Sequence, residues 1–194
     1  MLSALREFLI KPDTFFQGVL NKKVNIGIPI IIVFIVGIMG PLFNVYPLYL
    51  VKTPETYLIA FILCIVAFIT LVFVWLLATF LFYFMSLFFG GAGTFDRCIE
   101  VVGYGFLPQI IGGCVNLVLI ISIFGFKWWT IPFYKEISLT IFVLSIVWSA
   151  YYWIYGIKRT RQLSLRHATI CVILPVIIFG ILPIIVVEFL SLPK

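Results

Sequence analysis

A run of 40 uncharged residues between Glu55 and Asp96 constrains this chain more than any other feature of its sequence. A stretch of 18 or more apolar residues is already enough to indicate a membrane-spanning helix. Residues 57–89 contain no glycine, proline, asparagine or aspartate at which a hairpin could turn. We therefore predict one continuous transmembrane helix over 57–89.

The composition indicates that the rest of the chain is also embedded in a membrane. Of the 194 residues, 64% are hydrophobic and only 10% are charged, against roughly 25% charged in soluble domains. We predict an all-α, polytopic membrane protein: a bundle of five transmembrane helices preceded by a short N-terminal amphipathic interfacial helix. The interfacial segment covers 1–23 and the transmembrane domain covers 24–194, with spans over approximately 26–46, 57–89, 100–124, 137–157 and 168–190.

The N-terminal segment shows the periodicity of an amphipathic helix. Leu2, Leu5, Phe8 and Leu9 recur at helical spacing, which suits a helix lying in the membrane interface. We expect Pro12 to interrupt it. Thr14 with Gln17 has the pattern of a capping box that begins a second short helix.

Glycine and proline predict where the spans end or bend. Gly40-Pro41 should end the first span, and Pro175, Gly180 and Pro183 should bend the last one. Gly90 to Gly93 predict a flexible end of the long helix. A phosphate-binding loop is excluded there because no strand precedes it and no Lys-Ser/Thr pair follows it.

The stretch from Cys98 to Asn116 is predicted to lie at the centre of the bundle. Gly103 and Gly105 allow close approach of neighbouring backbones, and Pro108 removes a backbone donor. A carbonyl left unpaired in lipid must find another partner, so this stretch should face protein. The residues of the predicted packing centre are Gly103, Tyr104, Gly105, Pro108, Gly112, Gly113 and Asn116.

The segment Gly103-Tyr104-Gly105-Phe106-Leu107-Pro108 resembles the Gly-Tyr-x-x-x-Pro signature of the Yip domain family of small multispan membrane proteins. Lys11-Pro12-Asp13-Thr14-Phe15-Phe16 and Gln162-Leu163-Ser164-Leu165-Arg166-His167-Ala168 agree in order and spacing with the same family. The chain lacks the acidic N-terminal region of the eukaryotic trafficking members, which is typical of a compact prokaryotic relative. The resemblance implies a non-enzymatic membrane-organising or adaptor protein. In eukaryotic relatives that means vesicle traffic and small-GTPase partners.

No constellation of residues in the sequence indicates catalysis or metal binding. The four cysteines are scattered without CxxC spacing, and His167 is the single histidine. We predict no enzyme activity, cofactor or metal. No ionisable residue lies near the middle of a predicted span, which argues against proton-coupled transport. The alternative function is a small oligomeric transporter or channel for a neutral or lipid-like substrate, with the broken helices at Pro108 and Pro175 lining a site.

Three smaller patterns leave alternatives open. Asp96 and Glu100 lie near a helix start, where the dipole favours negative charge, but they could also form a functional pair. Ser138, Ser145, Ser149 and Gly156 share one helical face, as either a packing seam or a polar pathway. An aromatic belt at the membrane interface is predicted from Trp148, Tyr151, Tyr152, Trp153 and Tyr155.

The distribution of basic residues predicts the orientation. Thirteen Lys and Arg against seven Asp and Glu give a net charge of +6, and an inside N-terminus places nine of the basic residues on that side and four on the other. The positive-inside rule predicts a multi-pass protein of the cell membrane with a cytoplasmic N-terminus and an external C-terminus, or of an ER or Golgi membrane in a eukaryote. This rule explains the basic charge without nucleic-acid binding.

The most basic loop is also the predicted place of contact with anionic lipid headgroups. The residues concerned are Lys158, Arg159, Arg161 and Arg166. The predicted partners are therefore the lipid bilayer and either another membrane protein or a second copy of the chain.

Overall fold

The computed structural model describes residues 11–45, 54–125 and 134–181, and it is helical throughout, with no strand in those ranges. Its seven helices are α1 (Pro12–Leu20), α2 (Gly27–Val45), α3 (Pro54–Leu87), α4 (Phe95–Tyr104), α5 (Leu107–Ile120), α6 (Tyr134–Thr160) and α7 (Leu165–Pro175). π-Helical turns follow α5 at Ile121–Gly125 and α7 at Val176–Ile181. The predicted features at residues 1–10 and 182–190 lie outside the described ranges.

The long uncharged run forms a single helix, as predicted. α3 begins at Pro54, whose missing N–H costs nothing in the first turn, and continues without a break to Leu87. Within Tyr57–Leu87 an 18-residue window has a mean hydropathy of 3.0, and only 11% of that window is buried inside the protein. Most of its surface is therefore available to lipid.

Three helical segments in the described ranges are long and apolar enough to cross a membrane: Tyr57–Leu87, Phe95–Ile123 and Glu136–Thr160. Gly27–Met39 and Leu165–Phe179 are shorter apolar helices. The structure thus has the all-helical, membrane-spanning character that the composition predicts.

The centre of the bundle is the broken segment formed by α4 and α5. α4 packs against α2, α3 and α6, and α5 packs against α2 and α6. A turn at Gly105 and Phe106 separates the two helices, and α5 then begins at Leu107 with Pro108 in its first turn. The break predicted around Pro108 is present, and proline takes the position in a helix where it is tolerated best.

Two predicted helix boundaries were wrong. α2 continues through Gly40-Pro41 to Val45, because a transmembrane helix tolerates proline where its surroundings satisfy the freed carbonyl. Pro12 begins α1, where its fixed φ suits the first helical position, and the residues before Lys11 whose helix it is expected to interrupt lie outside the described ranges. Thr14 is not the N-cap: it lies inside the first turn, where its hydroxyl donates to the carbonyl of Lys11 at 2.9 Å.

The bend predicted in the last span takes the form of a π-helical turn. Pro175 ends α7, and the chain continues as the wider turn Val176–Ile181. Proline removes the hydrogen bond to the residue four positions earlier, and a π-turn accommodates that loss. The start of α7 is capped by Ser164, whose hydroxyl oxygen accepts from the backbone N–H of His167 at 3.3 Å.

Candidate functional site

Asp13, at the start of α1, forms ion pairs with two basic residues at the end of α6. Lys158 Nζ lies 3.1 Å from its Oδ1, and Arg159 donates to Oδ1 through Nε at 2.8 Å and to Oδ2 through Nη2. The hydrogen bond from the Arg159 guanidinium lowers the pKa of the Asp13 carboxyl to about 2. These contacts fix the first turn of α1 to the last turn of α6.

Aromatic packing extends the same docking contact. Phe16 is completely buried, and its ring lies beside Gly156, where a Cβ would be 3.4 Å from Cζ of Phe16 and would overlap with Val101. The ring of Phe15 meets that of Tyr104 edge to face, with centroids 5.5 Å apart. α1 is therefore held against both α6 and α4, and the glycine in α6 makes room for it.

Arg161 is buried, with 1% of its surface exposed, which corrects its prediction as a lipid-headgroup contact. Its guanidinium donates to Ser86 Oγ at 2.7 Å, to the carbonyl of Gly91 at 2.6 Å and to the carbonyl of Gly93. The ring of Tyr83 lies 4.2 Å from the guanidinium carbon, a cation–π contact. Arginine is suited to this role because its planar fork offers five donors at once.

The glycine loop after α3, Gly90 to Gly93, was predicted to be a flexible helix end. Hydrogen bonds instead hold it in place. Gly90 and Gly93 have positive φ values of 71° and 100°, and a Cβ at Gly93 would lie 2.5 Å from the carbonyl oxygen of Thr160. The N–H of Ala92 donates to the carbonyl of Arg161 at 3.0 Å. The loop and the end of α6 therefore satisfy each other's backbone groups.

Glu100 and Asp96 do not act as a pair, because Glu100 is buried while Asp96 is exposed. Glu100 Oε2 is paired with Arg97 Nη1 at 2.7 Å, and its Oε1 accepts the backbone N–H of Asn25 at 3.1 Å. Arg97 also donates to the carbonyl of Lys22. This cluster ties the start of α4 to the segment that joins α1 and α2.

Gly103 is a point of close approach, as predicted. A Cβ there would lie 2.5 Å from Cβ of Pro29 in α2 and 3.3 Å from Nε1 of Trp75 in α3. The same Trp75 nitrogen donates to the carbonyl of Ile99 at 3.3 Å. Three helices meet at this glycine because it has no side chain.

Gly105 is packed against Trp153 of α6. A Cβ at Gly105 would overlap with the indole ring, and the indole N–H donates to the carbonyl of Val102 at 2.8 Å. A buried indole needs such an acceptor. The two tryptophans Trp75 and Trp153 thus hold α4 from different neighbouring helices.

The rest of the predicted packing centre faces α6 and α2. A Cβ at Gly112 would overlap with Ser145 Oγ, and one at Gly113 would lie 3.1 Å from Cε of Met39. Asn116 is 5% exposed, and among the described residues its Oδ1 has no hydrogen-bond partner. The helical face that includes Ser145 therefore works as a packing seam.

Sequence reasoning assigned Trp153 and Tyr152 to an interfacial belt, and this was wrong. Trp153 is 5% exposed and Tyr152 is fully buried, while Tyr151 is 45% exposed. The signal that could have separated them is helical phase: Trp153 is four residues from Ser149 and three from Gly156, which the sequence had already placed on the packing seam.

Three charged segments meet at one end of the bundle, which we call the polar end. The start of α1, the start of α4 and the junction of α6 with α7 supply its ion pairs and buried hydrogen bonds. Lys22, Lys23, Asp96 and Arg166 are exposed on it. In the described ranges no group of three His, Cys, Asp or Glu side chains could hold a metal ion. The chemistry that the polar end offers is recognition by charge and hydrogen bonding.

Comparison with known proteins follows this architecture. A family model described as the Yip1 domain matches residues 6–187. An uncharacterized protein of Methanocaldococcus jannaschii is 31% identical over 124 residues, which is 60% of this chain and 88% of that protein. No solved structure matches the chain significantly.

Proposed function

The chain belongs to the Yip1 domain family of membrane proteins, and from this premise we propose that it is a non-enzymatic adaptor that organises membranes through protein or lipid partners. The observation that carries the proposal is the construction of the polar end. Segments from residues 13, 97 and 161 are joined there by ion pairs and buried hydrogen bonds. Such a frame presents its exposed charges in a fixed arrangement, as a recognition surface requires.

Exposed basic residues give the surface of the polar end a positive charge. Arg166 and Lys22 are exposed, whereas Lys158 and Arg159 share the carboxylate of Asp13 and stay partly exposed. Anionic lipid headgroups attract basic residues next to a membrane by about 1 kcal/mol each. An acidic segment of a membrane-protein partner, or of a second copy of the chain, would be attracted by the same charges.

The proposed topology has five spans, with the N-terminus inside and the C-terminus outside. The nine-to-four distribution of basic residues supports it, and it places the polar end on the cytoplasmic side. Reporter fusions at Lys194 and within the loop 161–165 test the arrangement. The two reporters should lie on opposite sides of the membrane, and finding both on one side would contradict five spans.

Partner capture tests the adaptor role. The protein is purified in mild detergent together with variants of opposite charge, and co-purifying proteins and lipids are identified by mass spectrometry. Arg166→Glu combined with Lys22→Glu should lose a defined set of partners. Lys135→Glu, the same type of charge change near the other end of α6, is the matched control and should retain them. An identical partner set for all forms would contradict the proposal.

Flux measurements separate this function from ion-coupled transport. Because the spans carry no ionisable residue near their middle, we expect no sustained proton movement in liposomes loaded with a pH-sensitive dye and a potential-sensitive dye. Empty liposomes and liposomes carrying Arg166→Glu serve as references. A protein-dependent proton flux under an imposed gradient would argue for a transporter.

A further inference from the structure

An apolar groove of about 650 Å³ lies between α3 and the helices α5, α6 and α7. It is separate from the polar end. α3 supplies Leu63, Ala67, Val74 and Phe82, and the opposite wall includes Phe142 and Ile146 of α6. A volume of this size falls within the range of roughly 300–1,000 Å³ that is usual for ligand sites.

Both helix breaks of the bundle border this groove. Phe106 and Gln109 line it from the turn that leads into Pro108, and Pro175 and Val176 line it from the start of the second π-turn. A proline break shifts the chain that follows it relative to the chain before it. The space opens where these two segments leave the regular helical path.

The length of the groove matches the thickness of the membrane hydrocarbon. Its α3 wall runs from Leu63 to Phe82, about 28 Å at the helical rise of 1.5 Å per residue, close to the roughly 30 Å of the bilayer core. Thr70, a polar residue in this wall, already donates to the carbonyl of Val66 at 2.8 Å. The described lining includes no charged side chain, so a charged ligand would find no ion-pair partner there.

The walls differ from the places where helices of this protein pack closely. At the close contacts of the packing centre a residue of the neighbouring helix packs directly against a glycine, as at Gly103, Gly105 and Gly112. Among the described residues the lining of the groove includes no glycine, and along α3 it combines the small residues Ala67, Thr70 and Ala78 with larger branched and aromatic side chains. The wall is therefore uneven. A thin, flexible chain can follow it.

We propose that this groove binds one hydrocarbon chain of a bilayer lipid. The chain lies along part of the α3 wall between Leu63 and Phe82, because one lipid chain spans a single leaflet of about 15 Å, half of the bilayer core. It is enclosed on the other side by α6 and the π-turn after α7. This inference depends on the embedding of the helices in a membrane and not on the adaptor role, so either can fail alone. The proposal attributes recognition to the hydrocarbon chain of the lipid and places no requirement on its headgroup.

Photolabelling tests the proposal. The full-length protein is reconstituted in vesicles containing a phospholipid with a diazirine in one acyl chain, irradiated, digested and mapped by mass spectrometry. Adducts should concentrate on groove residues of α3 and α6, in severalfold excess over the exposed lipid-facing residue Ile69, which is 61% exposed and outside the groove.

Substitutions that fill the groove supply the control. Ala67→Trp, which places an indole in the groove, should reduce adducts there severalfold, whereas Ile69→Trp on the outer face should leave them unchanged. The thermal midpoints of both variants are measured in detergent to show that they are folded. Labelling spread evenly over the exposed face of α3 in the wild-type protein, as for ordinary annular lipid, would overturn the proposal whatever the variants do. Crosslinks to another protein at the groove would overturn it as well.

Discussion

The indole ring of Trp153 lies where a side chain of Gly105 would begin, and its N–H donates to the carbonyl of Val102 at 2.8 Å. Trp153 thus occupies space that is open because Gly105 has no side chain. It also donates to the carbonyl of Val102, three residues before that glycine. The same carbonyl also accepts the backbone N–H of Gly105 at 3.1 Å, so the indole adds a second hydrogen bond, worth about 0.5–1.5 kcal/mol, and the glycine and the tryptophan stabilise the break in the central segment together.

Gly105→Ala should destabilise the protein by about 1–3 kcal/mol, because the added methyl group displaces the Trp153 ring. The measurement is the thermal midpoint in detergent. Gly18→Ala in α1 is the matched control, since a Cβ there meets nothing within 4 Å. In a helix that control should be neutral or slightly stabilising. Equal midpoints for the two variants would contradict the packing described here.

Trp153→Phe should cost more stability than Trp75→Phe. Both changes remove an indole donor, but the Trp153 bond is 2.8 Å long and buried while the Trp75 bond is 3.3 Å long and partly buried. We expect a loss of about 0.5–1.5 kcal/mol from the hydrogen bond of the former and less from that of the latter. Denaturation in a graded detergent series measures the order, and the reverse order would assign the main support to α3.

Arg161→Met should be the most destabilising change at a basic residue of the polar end. It leaves Ser86 and the carbonyls of Gly91 and Gly93 without their donor, at a cost of at least about 2 kcal/mol. Arg166→Met is the control because Arg166 is exposed. Size-exclusion profiles and thermal midpoints compare the two, and equal tolerance would mean that Arg161 faces solvent or lipid.

Acid should release α1 from α6. The pKa of Asp13 is lowered from 3.8 to about 2 by its basic partners, so the stabilisation is complete above about pH 4 and is lost as the pH falls towards 2. A partly exposed ion pair contributes about 1 kcal/mol or less, so the docking should weaken without global unfolding. Spin labels at Gly18 and on the exposed Tyr151 report their separation.

The control for this titration is Asp13→Asn, which removes the titrating group. Its spin-label separation should be independent of pH between 4 and 2 and should resemble that of the wild-type protein at low pH. The same transition in the variant would assign the acid response to other groups.

Sequence patterns predicted the features that depend on neighbours along the chain. The single helix over 57–89 follows from the absence of any turn residue, and the close contacts at Gly103 and Gly112 follow from glycine in an apolar segment. The family resemblance was confirmed as well. These properties depend on residues that are close together in the sequence, so they can be predicted from a single sequence.

Features that depend on distant partners could not be predicted in this way. Arg161 belongs to a basic cluster in the sequence, yet its acceptors lie 68 to 75 residues earlier, at Gly93 and Ser86. Trp153 was assigned to a belt by residue type, although its acceptor is 51 residues away. Helical phase could have placed Trp153 on the buried face, but only the folded chain shows which acceptors Arg161 and Trp153 reach. The asparagine at 116, with its unpaired Oδ1, has no explanation in the described part of the chain.

The docking of α1 also sets an order of assembly during synthesis. Asp13 and Arg159 are 146 residues apart, and ribosomes add about 5–20 residues per second, so roughly 7–30 s pass between the two. Throughout that interval Phe16 lacks the pocket beside Gly156 in which it is buried at the end. The segment made first is therefore among the last to reach its final place, and its docking distinguishes a completed bundle from an unfinished one.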